Sequence, residues 1–159
     1  MGSFAVTGGR KLKGTIKPQG AKNEALQVIS AVLLTDKEVT IHNIPDIIDV
    51  RLQIDLLRDL GVKVTRIGEN TYTFQADNVQ LDFLKSAEYQ QKSGRLRGSV
   101  MLAGPLLARF GEAFIPKPGG DKIGRRRLDT HITGFKNLGA SFDFDNDVHF
   151  FHLHTKGLK

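Results

Sequence analysis

One carboxylic acid, Asp121, stands among glycines and beside three consecutive arginines in the segment Pro118-Gly-Gly-Asp-Lys-Ile-Gly-Arg-Arg-Arg127. Glycines let a backbone come close to a ligand, and guanidinium groups match the geometry of phosphates and carboxylates. We interpret the segment as a loop that grips an anion and offers a carboxyl group. The alternative interpretation is a common Gly-Gly-Asp turn followed by a solvated run of arginines.

A second candidate group lies in Gly20-Ala-Lys-Asn-Glu-Ala-Leu26, which places Lys22 and Asn23 at the predicted start of a helix. Unpaired backbone N–H groups and the positive end of the helix dipole lie at such a start, so an anion beside Lys22 gains from both. The alternative is that Asn23 simply caps the helix.

The net charge of +6 would suit a nucleic acid, an anionic membrane face or small anionic substrates. Beyond the N-terminal lysines, the basic residues concentrate in two clusters next to glycine: Lys92, Arg95 and Arg97, then Lys122 and Arg125 to Arg127. This distribution favours a focused pocket, and no interleaving of basic and aromatic residues of an RNA-recognition type occurs. We therefore expect no nucleic-acid partner, with a basic nucleic-acid-binding module kept as an alternative.

Composition bounds the remaining function classes. The 159 residues suffice for one compact domain, and the absence of cysteine excludes disulfides, thiolate metal sites and thiol nucleophiles. The chain has no run of 18 apolar residues and no start typical of a secretory signal, so we expect no membrane partner and a cytoplasmic location. His149, His152 and His154 fall in the last predicted hairpin, with His152 and His154 on one strand face, and we interpret them as exposed strand residues and expect no metal site.

Two segments repeat one pattern of elements, which predicts an α/β fold built from αβαββ units. The first unit comprises helix 24–34, strand 39–42, helix 50–60 and strands 62–67 and 71–74, and the second comprises helix 99–110, strand 112–115, helix 130–138 and strands 140–144 and 148–153. Leu60-Gly61 matches Leu138-Gly139, and Gly61 is predicted to end its helix in the left-handed conformation. The second copy has about five more residues in its central loop, around Asp121, where an elaborated loop indicates function. Because repeats usually need about three units, we expect the chain to be a fragment.

Five groups of residues together carry a resemblance to a known family. They are Gly20-Ala-Lys-Asn-Glu-Ala-Leu26; Asn43-Ile-Pro-Asp46 with Asp49-Val50; Leu96-Arg-Gly-Ser99; Gly104-Pro-Leu-Leu-Ala-Arg-Phe-Gly111; and Pro118-Gly-Gly-Asp-Lys-Ile-Gly-Arg-Arg126 with Asp129 and His131. In order and spacing, from Gly8-Gly9 to the last residue, the chain closely resembles the UDP-N-acetylglucosamine enolpyruvyl transferases, also called UDP-N-acetylglucosamine 1-carboxyvinyltransferases.

The resemblance implies transfer of the enolpyruvyl group of phosphoenolpyruvate to the 3-hydroxyl of UDP-N-acetylglucosamine, the first committed step of peptidoglycan synthesis, without a cofactor. It implies cytoplasmic work in cell-wall biogenesis, hence in cell shape and cell division. It also implies an inside-out α/β barrel in two domains of three units each. Residues 1–20 then belong with a missing second domain, residues 21–85 form the first unit and residues 86–159 the second. The missing C-terminal portion is then an obligatory partner, and the 159 residues alone are expected to be inactive.

The resemblance also assigns residues. Lys22 matches the lysine that contacts phosphoenolpyruvate and Asn23 the residue that contacts the sugar nucleotide, while Arg97 and Arg126 match arginines near the phosphoenolpyruvate anion. The wall of the uridine pocket is matched by Arg126, Arg127, Leu128, Asp129 and His131. The implied catalytic set is Asp121, Lys22 and Arg126.

Two positions depart from the usual pattern of the family. Asp121 stands where many members carry the cysteine that protonates the methylene carbon of phosphoenolpyruvate and that fosfomycin alkylates. Some members carry aspartate there, so we expect Asp121 to be the general acid and the protein to resist fosfomycin. Arg127 stands where proline is frequent in the family. Arginine adds a positive charge there and stiffens the loop less than proline does.

Other interpretations remain. The related enolpyruvyl transferase acting on shikimate 3-phosphate has Lys-Ser where this chain has Lys22-Asn23 and lacks the Gly-Gly-Asp loop. A truncated, non-catalytic paralogue is the other alternative.

Overall fold

The structure, a computed structural model, describes residues 2–116, 127–145 and 150–159. Residues Met1, 117–126 and 146–149 lie outside this part, and with them all of the predicted loop 118–127 except Arg127. No helix among the described residues is long and apolar enough to cross a bilayer.

The first unit has the predicted order of elements. It consists of α1 (Lys22–Ala31), a 3₁₀ turn (Val32–Leu34), β1 (Glu38–Ile41), α2 (Ile48–Asp59), β2 (Lys63–Gly68) and β3 (Thr71–Gln75). Val50, Ile54 and Leu57 recur along α2 at helical spacing and are all buried, which gives the helix its inner face. The strands form an antiparallel sheet in the order β1-β3-β2, with Phe74 of the central strand fully buried.

The end of α2 depends on Gly61, which has φ of 91° as predicted. A side chain there would also place its Cβ 2.4 Å from the carbonyl oxygen of Asn78. The glycine turns the chain so that the backbone N–H of Val62 donates to Leu57 O at 3.0 Å, and β2 follows directly.

A helix that the sequence pattern did not predict, α3 (Ala87–Arg95), lies between the units, after a 3₁₀ turn (Leu81–Lys85). It buries Tyr89 and Ser93 and is otherwise polar, so it lacks an apolar stripe. The sequence feature that could have indicated this helix is its N-cap residue, Ser86. Its Oγ accepts a hydrogen bond from the backbone N–H of Tyr89 at 3.0 Å. Lys92 ties it to α2 through Asp59 at 2.7 Å, and the hydrogen bonds to Asp59 and to Glu88 raise the pKa of Lys92.

The second unit repeats the first. After a 3₁₀ turn (Arg97–Leu102) come α4 (Ala103–Phe110), β4 (Glu112–Pro116), α5 (Asp129–Asn137), β5 (Ser141–Asp145) and β6 (Phe150–His154). Its antiparallel sheet has the order β4-β6-β5, so in both sheets the last strand is central. The prediction of two αβαββ units is confirmed. One boundary was wrong, because the helix predicted from Ser99 becomes α-helical at Ala103 and is a 3₁₀ turn before it.

The two units share a continuous hydrophobic core. Arg109 of α4 joins them, because its Nη1 donates to Leu33 O at 3.0 Å, Thr35 O at 2.9 Å and Ala76 O at 2.8 Å. All three carbonyls belong to the first unit.

The N-terminal residues 2–21 contain neither helix nor strand. Phe4, Val6, Leu12 and Ile16 are each at least 90% exposed. Apolar side chains that another domain would cover are expected to be exposed in this way when that domain is absent. The assignment of this segment to a second domain stays a prediction, as do the domain boundaries.

Candidate active site

A cavity of about 380 Å³ lies between the start of α1, the 3₁₀ turn after α3 and the start of α5. This size is in the range of small-molecule sites. Its lining combines charged and polar side chains with an apolar floor: Lys22, Asn23, Gln27, Asp49, Arg95, Arg97 and His131, with Leu26, Leu96, Gly98, Val100, Met101 and Leu128.

The start of α1 presents Lys22 and Asn23 to this cavity. The residue before the helix is Ala21, which is extended and makes no side-chain cap. Asn23 lies inside the first turn, so the interpretation of Asn23 as the helix cap was wrong. The first-turn N–H groups have no intrahelical acceptors, which suits an anion beside Lys22.

Asp49 lines the cavity, although neither its spacing nor the family resemblance gave it a role. Its Oδ2 lies 2.7 Å from Lys22 Nζ, and the pair joins the first turns of α1 and α2. Both side chains remain more than one third exposed, so solvent screens their attraction and the pair holds the ammonium in place more than it stabilises the fold. No spacing rule connects residues 27 positions apart.

Gly20 sets the position of α1 against the neighbouring loop. A Cβ on Gly20 would lie 2.0 Å from the carbonyl oxygen of Asn43, which is itself in the left-handed region with φ of 58°. The loop is fixed in turn by the backbone N–H of Ile44, which donates to Asn70 O at 2.9 Å. The chain therefore passes Asn43 at a distance that only glycine permits, two residues before Lys22.

Gly20→Ala is expected to lower the free energy of unfolding by about 1–3 kcal/mol, since the added methyl meets a backbone atom that cannot rotate away. Gly134→Ala is the matched control, because a Cβ on Gly134 of α5 meets nothing within 4 Å and alanine is the better helix former. Urea unfolding followed by circular dichroism measures both. Equal midpoints for the two variants would contradict the packing argument.

Arg97 reaches the cavity from the 3₁₀ turn that follows α3. The single hydrogen of the Ser99 hydroxyl is shared between Ser93 O and Leu96 O, which lie 2.8 Å and 2.7 Å from Oγ, and this contact closes the turn onto the helix end. A Cβ on Gly98 would lie 3.0 Å from Leu26 Cδ1, so the turn packs closely on α1. The unpredicted helix α3 thus supplies Arg95 and the support for Arg97.

The structure brings together Lys22, Asn23, Arg97, Leu128 and His131, which the resemblance had assigned to substrates. Arg127 and Asp129 flank Leu128 but are not among the lining residues, and they form an ion pair with each other. Asp121 and Arg126 lie outside the described residues. Asp49 and Arg95 are the charged lining residues that were not assigned; Arg95 had been noted as part of a basic cluster.

Residues 6–159 match the protein family described as EPSP synthase (3-phosphoshikimate 1-carboxyvinyltransferase). The chain belongs to this family.

Curated relatives refine that placement. A UDP-N-acetylglucosamine 1-carboxyvinyltransferase from Porphyromonas gingivalis is 60% identical over 99% of the chain, and one from Bacteroides fragilis is 55% identical over 100%. The chain spans about a third of the length of these relatives, 36% and 37%. The predicted resemblance is confirmed.

Solved structures show the fold. The enolpyruvyl transferase NikO from Streptomyces tendae matches 96% of the chain with a TM-score of 0.73 at 23% identity, over 32% of its own length. An EPSP synthase from Acinetobacter baumannii matches 92% with a TM-score of 0.62 at 15% identity, over 33% of its own length. The predicted enolpyruvyl transferase fold is confirmed.

Proposed function

We propose that the chain is the part of a UDP-N-acetylglucosamine 1-carboxyvinyltransferase that binds phosphoenolpyruvate and the sugar nucleotide. One observation carries the proposal: Lys22 and Asn23 line the same cavity as Arg97 and His131, which are distant from them in sequence, and the chain is 60% identical to a protein of that name. The reaction moves the enolpyruvyl group to the sugar 3-hydroxyl and releases phosphate.

Charge explains why such a site needs several cations. Phosphoenolpyruvate and a sugar diphosphate are both multiply anionic, and two unit charges 4 Å apart interact by about 4 kcal/mol at an effective dielectric of 20. Lys22, Arg95 and Arg97 on separate elements offset this repulsion with groups fixed before binding. Arg126 is assigned to the same anion through the resemblance.

Each side chain has a role under this proposal. Lys22 and Arg97 hold the phosphoenolpyruvate anion, and Asn23 contacts the sugar nucleotide. Leu128 and His131 border the uridine, with Arg127 and Asp129 beside them. Asp121 donates the proton to the methylene carbon, while the base for the sugar hydroxyl comes from outside these 159 residues. The reaction is proposed to take place in the cytoplasm, as a step of cell-wall biogenesis that supports cell shape and division. No nucleic-acid or membrane partner is proposed.

A chimera tests the function. Residues 1–159 replace the matching segment of the Porphyromonas gingivalis relative, and phosphate release is measured with both substrates. We expect turnover by the chimera and none by the 159 residues alone. Shikimate 3-phosphate in place of the sugar nucleotide should give no phosphate. A folded chimera without turnover, or salt-sensitive RNA binding by the chain that excess UDP-N-acetylglucosamine does not reduce, would reject the proposal.

Residue 121 decides both proton transfer and drug response in the same chimera. Asp121→Asn is expected to lower kcat by at least about 100-fold, because the N–H of a carboxamide is far too weak an acid to protonate carbon. The unsubstituted chimera should resist fosfomycin, since a carboxylate is a poorer nucleophile than a thiolate, and Asp121→Cys should become sensitive. Full turnover of Asp121→Asn, or covalent labelling of Asp121 seen by mass spectrometry, would contradict these roles.

A further inference from the structure

We propose that Asp143, His152 and His154 form a binding site for a divalent transition-metal ion of the Zn²⁺, Ni²⁺ and Cu²⁺ class. Each of the three residues offers one ligand atom, and these atoms all lie within 4.8 Å of one another. None of the three lines the cavity described above.

The sheet of the second unit creates this cluster. His152 and His154 lie two residues apart on β6, the central strand, so they project from the same face. Asp143 of β5 is the direct neighbour of His152 in the antiparallel register. Leu153, between the histidines, points the other way and is fully buried in the core, so the cluster lies on the opposite face of the sheet, where Asp143 and His154 are exposed.

The donor set selects the class of ion. Two imidazoles and one carboxylate are ligands that suit Zn²⁺, Ni²⁺ and Cu²⁺, whereas Mg²⁺ and Ca²⁺ prefer oxygen donors alone. A tetrahedral ion with bonds of about 2.0–2.1 Å needs donors about 3.3 Å apart, so the cluster must contract slightly. The side chains of His154 and Asp143 are 47% and 69% exposed and can rotate to do so.

Glu112 of β4 orients the least mobile ligand. Its Oε1 lies 3.0 Å from His152 Nε2, and because a carboxylate accepts, that ring nitrogen carries the proton and Nδ1 keeps the lone pair. The ring also stacks on Phe114 with a centroid distance of 4.4 Å. A carboxylate that fixes the tautomer of a ligating histidine is the usual outer partner in metal sites.

The alternative to a metal site is two independent polar contacts on the sheet surface, His152 with Glu112 and His154 with Asp143. His154 Nδ1 lies 3.5 Å from Asp143 Oδ2, a distance that an exposed ion pair would also give. The metal-site hypothesis and the alternative predict different effects of removing one residue. A chelate requires all three residues at once, whereas separate polar contacts would give at most weak zinc binding that the loss of Asp143 does not change.

Isothermal titration of the 159-residue chain with ZnCl₂ separates them. We expect one Zn²⁺ per chain, reversed by EDTA, with Ni²⁺ competing and Mg²⁺ without effect. His154→Gln and Asp143→Asn should each weaken binding at least about 10-fold, and Glu112→Gln by about 10-fold through the outer contact. His42→Gln is the control, because His42 bonds Thr71 in the first unit, away from this sheet, and its loss should leave zinc affinity unchanged.

Thermal unfolding in EDTA shows whether the variants keep the fold, and the high exposure of Asp143 makes Asp143→Asn the safer of the two. Wild-type binding no tighter than that of folded Asp143→Asn overturns the proposal. So does an equal loss of binding in His42→Gln. Because the readout is zinc affinity, failure here is distinguishable from failure of the enolpyruvyl transfer assay.

Discussion

Replacing Arg109 by methionine is expected to lower the free energy of unfolding by about 3 kcal/mol or more. Nη1 has two hydrogens for the carbonyl oxygens of Leu33, Thr35 and Ala76, so one hydrogen is shared. Methionine preserves much of the apolar stem but leaves all three acceptors without this donor. Urea unfolding gives the loss as a shift in midpoint at constant slope.

Arg58→Met is the matched control for this prediction. Arg58 is exposed on α2 and makes an i,i+3 pair with Asp55 at 2.9 Å, which is worth little in water. Its replacement should change stability by less than about 0.5 kcal/mol. A loss no larger for Arg109→Met than for Arg58→Met would show that the three carbonyls are satisfied without the guanidinium.

The Arg109 contacts also bear on cooperativity. Arg109 belongs to the second unit and its acceptors to the first, and the core is continuous across both. We therefore expect the two units to unfold in one transition, and Arg109→Met to shift that transition without splitting it.

Replacing Lys22 by methionine lowers kcat/KM of the chimera by at least about 100-fold, which corresponds to about 2.7 kcal/mol of transition-state stabilisation. Lys22 stands at the first turn of α1 with its ammonium held by Asp49 at the edge of the cavity. Methionine keeps the length of the stem and removes the charge. Because both members of the Lys22–Asp49 pair are partly exposed, the fold should change little, and the effect should be on phosphoenolpyruvate use.

Lys37→Met serves as the control, since Lys37 is exposed and lies 4.0 Å from Asp36, outside the cavity. Lys22→Arg should recover part of the activity, as it keeps a cation at the same place. Steady-state kinetics with phosphoenolpyruvate varied would show the loss. Values for Lys22→Met within threefold of Lys37→Met would remove Lys22 from the proposed site.

Local chemistry was sufficient for much of the fold. The predicted helix 50–60 matches α2, and the glycine after it has the left-handed backbone that was predicted for it. Periodicities of 3.6 and 2 residues depend on near neighbours, so they can be read from the chain. The same reasoning missed α3, because that helix packs through Tyr89 and Ser93 and carries no apolar stripe.

Lys22, Asn23, Arg97 and the stretch from Arg126 to His131 could be named as candidate site residues. Their types, their order and the family that the chain resembles were sufficient for this. Strand alternation likewise placed His152 and His154 on one face. What the chain order alone did not decide was which distant groups meet: Asp49 with Lys22, Arg109 with three carbonyls of the other unit, Asp143 with the histidines. Those contacts join residues on separate elements, and they exist because burial of the shared core and the order of strands in each sheet set the distances between elements, which no local pattern encodes.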